Sequence, residues 1–183
     1  MFHTPCISEV KKQAKLMNLP IIIQWTKGKK EEELEDLEKA IKIAIDKYGI
    51  KGIVSGALAS NYQKSRIQKI CEKFNLISIT PLWQKDEVKY LNELIKNNFE
   101  IIITGVAAYP LNNSWLGRTI DKKFINEIQI LNKKYKIHPA GEGGEFETFV
   151  LNCPLFQKPL IVKNQKISGK DNSWTMEIKT KFS

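Results

Sequence analysis

The sequence has 183 residues, of which 42% are hydrophobic and 27% charged, so a wholly disordered chain is excluded. The formal net charge of +9 favours polyanionic partners, such as nucleotide phosphates, RNA or an acidic protein face, without choosing among them. No apolar run approaches the roughly 20 residues of a membrane span, so we expect no membrane association.

The cysteines and histidines argue against a metal site. Cys6, Cys71 and Cys153 lie far apart, and the chain has only two histidines, His3 and His138. No Cys-x-x-Cys or Cys-x-x-His spacing occurs, so we expect neither a zinc site nor a disulfide scaffold. Reduced thiols and the absence of a signal-peptide pattern favour a cytoplasmic location.

In chain order, the first half alternates helical and strand-like segments. It begins with a predicted helix ending near Asn18, capped by Thr4 or Ser8, and a strand over Pro20–Thr26. The next four predicted elements are a helix over Glu31–Tyr48, a strand over Gly52–Gly56, a helix over Gln63–Phe74 and a strand over Leu76–Ile79.

The second half begins after a boundary predicted at Pro81–Lys85. It contains a helix over Glu87–Asn97, a strand over Glu100–Val106, a loop over Tyr109–Gly117, a helix over Asp121–Lys134, a glycine-rich segment and a β-rich tail. In that tail, Ser168–Ser173 resembles a phosphate-binding loop, but its flanks predict a hairpin turn. The alternation predicts an α/β fold with a mainly parallel sheet.

A first candidate site follows the Gly52–Gly56 strand. Small residues there, including Gly56 and Ala57, lead into a helix beginning near Ser60, with Gln63 and Arg66 in its first turns. A helix N-terminus at the carboxyl edge of a parallel sheet can bind nucleotide phosphates. The alternative is an ordinary strand-to-helix turn in which Ser60 caps the helix.

A second candidate site is the glycine-rich segment His138–Thr148. Three of its glycines fall within four positions, which suits a backbone that approaches a ligand closely. If Glu145–Val150 is a strand, Glu145 and Glu147 share one face and could attract Mg²⁺ or a cationic substrate. The alternative is a glycine turn before an edge strand, with His138 packed inside.

A third candidate site is Trp115–Arg118, in the loop after the Glu100–Val106 strand. Trp115 offers a stacking surface and Arg118 a fork for a phosphate or carboxylate. A tryptophan that merely covers the core is an equally good interpretation.

Together these motifs resemble the diphthine–ammonia ligase (diphthamide synthase) family, which is similar to ATP pyrophosphatases. The matching segments, in order, are MFHTP (1–5), GALASNYQ (56–63) with Arg66, PLW (81–83), WLGR (115–118) and HPAGEGGEFET (138–148). The resemblance extends from residue 1 to about residue 162.

The resemblance implies a Rossmann-like nucleotide α-hydrolase domain over residues 1–82. A smaller substrate-side α/β domain with a C-terminal β-hairpin would follow over residues 83–183. It also implies ATP- and Mg²⁺-dependent amidation of diphthine on elongation factor 2 by ammonium, releasing AMP and pyrophosphate.

The family's segments imply roles for particular residues. The nucleotide would contact Gly56, Ala57, Ser60, Gln63 and Arg66. The catalytic candidates are Glu142, Glu145, Glu147 and His138, the last as proton acceptor from ammonium. The substrate would contact Gly143, Gly144, Thr148, Trp115 and Arg118.

One family feature has no counterpart here. Family members begin with a strand and a Ser-Gly-Gly-Lys-Asp-Ser phosphate loop, so we expect a sheet that is incomplete at its N-terminus. The chain would then be a truncated or split member, with a homo-oligomer or a partner supplying the phosphate loop. The alternatives are a non-catalytic module that binds nucleotide or elongation factor 2, and a basic RNA-binding domain.

Overall fold

The computed structural model describes residues 5–27 and 32–183, except the side chain of Glu32. Its elements in chain order are α1 (Val10–Leu16), α2 (Glu32–Tyr48), β1 (Gly52–Val54), α3 (Asn61–Lys73), β2 (Ile77–Ile79), α4 (Glu87–Lys96), β3 (Glu100–Val106), α5 (Lys122–Tyr135), β4 (Phe146–Asn152), β5 (Leu160–Lys170) and β6 (Ser173–Phe182). Short 3₁₀ turns cover Ile7–Glu9 and Asn113–Trp115.

The chain divides into two compact units. The first unit contains the described residues of 20–85, and the second contains residues 5–19 together with 86–183. The predicted α/β class is confirmed. The second unit is the larger of the two and includes residues 5–19, whereas the prediction gave the whole N-terminal segment to the first domain.

The first unit is built on a parallel pair, β1 and β2, in which Ile53 lies opposite Ser78. Helix α3 connects the two strands and buries Ile67, Ile70 and Cys71. Parallel strands joined through a helix present their carboxyl ends at one edge. The segment Ser55–Ser60 therefore leaves β1 at the edge where α3 begins.

The second unit is an antiparallel sheet in the order β4-β3-β6-β5. One core includes residues from α4, α5, β3 and β4, among them Leu91, Phe124, Ile128 and Phe146. A second core joins β-strand residues such as Phe149 and Met176 to Cys6 and Leu16. The prediction of a mainly parallel sheet is thus wrong for this unit, whose neighbouring strands all run antiparallel. Antiparallel neighbours can be joined by a short turn, as β5 and β6 are, whereas parallel neighbours need a crossover connection.

The segment 5–16 is attached to β6 by buried polar contacts. Thr180 donates from its backbone N–H and its hydroxyl to Glu9 Oε2, at 2.8 and 2.6 Å, and Cys6 Sγ donates to the Met176 carbonyl at 3.2 Å. Lys12 Nζ lies 2.7 Å from the same Glu9 oxygen. Burial raises the pKa of Glu9, but hydrogen bonds from Lys12 and Thr180 outweigh it and lower that pKa to about 2.

Two local predictions are wrong. Residues 20–27 form no strand, and Ile23 and Trp25 are exposed, because a strand needs a hydrogen-bonded neighbour that a local apolar pattern does not supply. Ser8 lies inside the first 3₁₀ turn, and the N-cap of α1 is Glu9, without a side-chain cap. The other proposed cap, Thr4, lies outside the described residues, as do the rest of MFHT and Glu31.

The remaining elements agree with the predicted pattern to within a few residues. Helix α2 ends at Tyr48, and Gly49 follows it with φ of 60° and donates to the Ile45 carbonyl. β5 and β6 form the predicted hairpin, with Lys170 opposite Ser173, so Ser168–Ser173 is a turn region rather than a phosphate loop.

Candidate functional site

The glycine-rich segment of the second unit is a compact loop that leads into β4. Gly141 and Gly144 have positive φ, at 71° and 82°. Gly141 N–H donates to the His138 carbonyl and Gly144 N–H to the Gly141 carbonyl, each at 3.0 Å. A Cβ on Gly141 would lie 2.8 Å from the Phe146 carbonyl oxygen, so glycine is required there by space as well as by conformation.

The carboxylate of Glu145 closes this loop. His138 N–H donates to Oε1 at 2.8 Å, and Gly143 N–H donates to Oε2 at 2.9 Å. A Cβ on Gly143 would lie 2.7 Å from Glu145 Oε1, so Gly143 leaves room for the carboxylate. Both oxygens of Glu145 therefore accept from the loop's backbone in this structure.

The imidazole of His138 also contacts polar groups of the second unit. Its Nδ1 accepts from the backbone N–H of Ala140 at 3.2 Å and of Glu142 at 3.4 Å. In a neutral imidazole the proton is then on Nε2, which is buried and lies 3.3 Å from Glu87 Oε1. In this arrangement neither ring nitrogen offers an open lone pair to a proton on ammonium.

Glu147 has different neighbours from Glu145, although the strand pattern predicted one shared face. It lies on β4 opposite Gly105, and a Cβ on Gly105 would be 3.4 Å from Glu147 Cβ and 3.6 Å from Pro5. The register between β3 and β4 shifts at this point. β4 begins at Phe146, so Glu145 lies just before the strand rather than in it. Thr148, the other candidate residue of this strand, lies opposite Ile103 of β3.

Trp115 and Arg118 lie together on the second unit. The Arg118 guanidinium carbon is 4.1 Å from the centre of the Trp115 ring, and its Nη2 is 2.8 Å from Glu127 Oε2 on α5. Trp115 also packs edge-on against the buried Phe124. Trp115 covers the core, and Arg118 is held between a ring and a carboxylate.

In the first unit, Ser60 caps α3, since its Oγ accepts from Gln63 N–H at 3.3 Å. Ala57 and Leu58 are buried, whereas among the described residues no atom other than those of its chain neighbours lies within 4 Å of the place that a Cβ on Gly56 would occupy. The Ser55 hydroxyl oxygen is buried and has no hydrogen-bond partner within the described residues. This edge combines small residues, a helix N-terminus and a buried hydroxyl, which are features that phosphate-binding edges of parallel sheets also have.

Two cations of α3 lie on aromatic rings. The Arg66 guanidinium is 3.5 Å from the centre of the Tyr62 ring, one turn earlier, and the Lys64 ammonium is 4.0 Å from that of Trp83. Sequence spacing identified Arg66, and its i, i+4 relation to Tyr62 is the signal for this contact. Lys64 was missed because its ring partner belongs to a distant segment.

No three histidine, cysteine, aspartate or glutamate side chains gather as a metal site anywhere in residues 5–27 and 32–183. The three cysteines are free and buried. No helix in the described part of the chain is long and apolar enough to cross a bilayer.

Comparison with known proteins covers both units. The family model described as the diphthamide synthase N-terminal domain matches residues 1–78, and that of the C-terminal domain matches residues 86–182. The chain belongs to the diphthamide synthase family. The glycine-rich loop and the Trp115–Arg118 pair thus lie in the C-terminal family domain, and the edge at Gly56–Ser60 lies in the N-terminal one.

Named relatives of this diphthamide synthase family member are diphthine–ammonia ligases. The human one is 40% identical over 137 residues, covering 74% of this chain and 51% of the relative. The one from Bos taurus is 35% identical over 179 residues, covering 91% and 67%, and that from Schizosaccharomyces pombe is 34% identical over 151 residues, covering 82% and 25%. The chain thus spans about half the length of the human relative.

Glu87 is the residue of this region that sequence reasoning missed. It is the first residue of α4, after the Asp86 cap, and its carboxylate faces His138. A first-turn glutamate is common because it interacts favourably with the helix dipole, so nothing in its local sequence indicates this contact.

Proposed function

We propose that this diphthamide synthase family member amidates the carboxyl group of diphthine on elongation factor 2, using ATP and ammonia. The observation that carries the proposal is the match of both diphthamide synthase domains, over residues 1–78 and 86–182. The relatives are diphthine–ammonia ligases, and that name supports the two substrates.

The chemistry requires an activated carboxyl group, because a carboxylate is a poor acyl donor. A carboxylate oxygen of diphthine attacks the α-phosphorus of ATP, and pyrophosphate leaves. The nitrogen of ammonia then attacks the acyl carbon, the C–O bond to AMP breaks, and the nitrogen loses a proton as the amide forms. The products are diphthamide, AMP and pyrophosphate.

The first unit supports the nucleotide part of this proposal. The open side of Gly56 lets a base or ribose approach the backbone, and the N-terminus of α3 favours a phosphate. Ala57, Ser60 and Gln63 shape this edge. Arg66 would reach a phosphate after leaving the Tyr62 ring, from which its guanidinium is 3.5 Å away.

The second unit supports a site for the cationic substrate groups. Diphthine carries a trimethylammonium group and ammonia arrives as ammonium, so carboxylates would attract both. We assign this attraction to Glu142 and Glu147, with Glu145 and His138 holding the loop of Gly143 and Gly144 in shape. Thr148, Trp115 and Arg118 remain candidate contacts for the protein substrate.

Mg²⁺ would enter with the phosphates of ATP, since magnesium is commonly held by substrate phosphates and only one or two carboxylates. The described residues offer no three-ligand group, so no step is assigned to the metal. Three free, buried cysteines fit a reducing compartment, and we propose a cytoplasmic location.

The test is an assay of AMP and pyrophosphate with the purified chain, ATP, Mg²⁺, ammonium and elongation factor 2 bearing diphthine. The expected result is AMP release that needs both ammonium and diphthine, with the amide detected by mass spectrometry. Elongation factor 2 without diphthine is the control. If the chain binds the factor but forms no AMP, the ligase proposal is overturned for this chain and a binding module is favoured.

Residue roles are tested with a matched pair of variants. Glu147→Gln removes a half-buried carboxylate of β4, and Glu100→Gln removes an exposed one at the start of β3. We expect the first to raise the KM for ammonium or diphthine, and the second to leave both unchanged. Equal kinetics in the two variants would remove Glu147 from the site.

A further inference from the structure

The hairpin of β5 and β6 carries an excess of positive charge. Six lysines lie between Lys158 and Lys181, against Asp171 and Glu177 as the only acids of that stretch. Most residues of β5 beyond Val162 are exposed, so much of this charge faces solvent. Such a concentration of cations produces a local positive potential that the overall charge of +9 reinforces.

The strand register gathers four of these lysines on one face of the hairpin. Along β6 the even-numbered residues from Met176 to Thr180 are buried and the odd-numbered ones are exposed. Residues directly opposite in an antiparallel pair share a face. Lys179 and Lys181 of β6 therefore lie on the same face as Lys166, opposite Glu177, and Lys170, opposite Ser173. We call these four residues the lysine face.

Most of the lysine face is not neutralised. Within the part of the chain that the structure describes, Lys166, Lys170 and Lys181 form no ion pair. The carboxylate of Glu177, opposite Lys166, accepts instead from Cys6 N–H at 3.1 Å. Lys179 lies 3.8 Å from Glu9, and its side chain is still 67% exposed.

We propose that the lysine face binds the phosphate backbone of a nucleic acid. At about 3.3 Å per residue, the face extends over roughly 25 Å from Lys170 to Lys181. A row of separated point charges of this length suits a linear polyanion. Lysine is depleted in the cores of protein–protein interfaces and exposed aromatic anchors are absent from this face, so an acidic protein fits it less well.

Lysine contacts to phosphate carry no base readout, so the binding is independent of sequence and depends on salt. RNA and DNA share this phosphate chemistry, and the binding test below distinguishes between them. That test requires neither ATP nor ammonia nor diphthine. Its outcome is therefore separate from that of the ligase assay.

The experiment measures the affinity of the whole chain for three fluorescent probes: a 20-nucleotide single-stranded RNA, a 20-base-pair DNA duplex and a polyglutamate peptide. The test variant is K166Q/K170Q/K181Q, which leaves Lys179 and its contact with Glu9 in place. The matched control, K51Q/K69Q/K123Q, removes the same charge from three exposed lysines elsewhere. A third variant, K166R/K170R/K181R, keeps the charge.

We expect the test variant to bind the preferred nucleic acid about tenfold more weakly and to lower the slope of log K against log salt by about 2. The control and arginine variants should bind within about twofold of the original chain. Preference between RNA and DNA identifies the source of the phosphate. Equal losses in test and control variants, or tighter binding of polyglutamate than of either nucleic acid, would overturn the proposal. Thermal melting of each variant verifies folding.

Discussion

Glu145→Gln separates a structural role of the glycine-rich loop from a catalytic one. In the structure each carboxylate oxygen accepts one backbone N–H, from His138 and from Gly143. Glutamine retains one acceptor oxygen and places an NH₂ group where the second was. One N–H of the loop would then face another donor, and the charge that strengthens both hydrogen bonds would be lost.

The magnitude follows from those two contacts. A hydrogen bond to a charged group contributes about 1.5–3 kcal/mol net, and the variant loses one and weakens the other, so we expect a loss of about 2 kcal/mol. In a chain of this length each kcal/mol lowers Tm by roughly 2–4 °C, which gives a decrease of about 6 °C.

The assay combines thermal melting with amide hydrogen exchange at two positions. We expect the His138 and Gly143 amides to be protected in the original chain and to exchange faster in Glu145→Gln, while Glu100→Gln, at the exposed first residue of β3, changes neither. An unchanged Tm and unchanged exchange, together with lost ligase activity, would refute the reasoning and make Glu145 a substrate-contacting carboxylate.

Three further predictions concern stability. The pKa of Glu9 is lowered from 4.5 to about 2, which adds about 3 kcal/mol to the free energy of unfolding above pH 4.5, and this contribution is lost as pH falls toward 2. Urea unfolding should therefore show Glu9→Gln less stable than the original chain at pH 7 and equal to it near pH 2. A difference that stays constant with pH would contradict this. Gly144→Ala places its methyl group in open space and should lower the free energy of unfolding by about 1 kcal/mol. Gly141→Ala places it against the Phe146 carbonyl and should lower that free energy by about 3 kcal/mol or more. Equal decreases in Tm for the two variants would show that the loop relaxes around the Gly141 methyl group. Ser60→Ala should destabilise the first unit by about 0.5–1 kcal/mol, measured by amide exchange in α3, and Ser60→Gly by only a few tenths.

Elements with a strong local signal were predictable. The spacing of Leu34, Leu37, Ile41 and Ile45 predicted α2, and the apolar run Ile101–Ile103 predicted β3 with its observed bounds. These patterns report on burial of one stripe or one face, which local sequence encodes. The segment 20–27 has an equally apolar pattern, yet strand formation depends on a neighbouring strand, which local sequence does not encode.

The backbone of the glycine-rich loop was predictable in part, but the contacts of its side chains were not. Glycines that need positive φ marked the loop, and Gly141 and Gly144 adopt it. The direction of the Glu145 carboxylate was not predictable, because it depends on a fold of the loop that brings His138 N–H to it. The contact of His138 with Glu87 joins residues 51 positions apart, beyond any local pattern.

The attachment of residues 5–16 to β6 also affects the order in which the protein folds during synthesis. Glu9 and Thr180 are 171 positions apart, whereas the described residues of the first unit all lie between positions 20 and 85. The contacts within the first unit can all form before β6 has been made, whereas those between residues 5–16 and β6 cannot. Until then Cys6 and Leu16 lack part of their core, so a pause in translation before β6 should leave apolar surface open to chaperones and proteases.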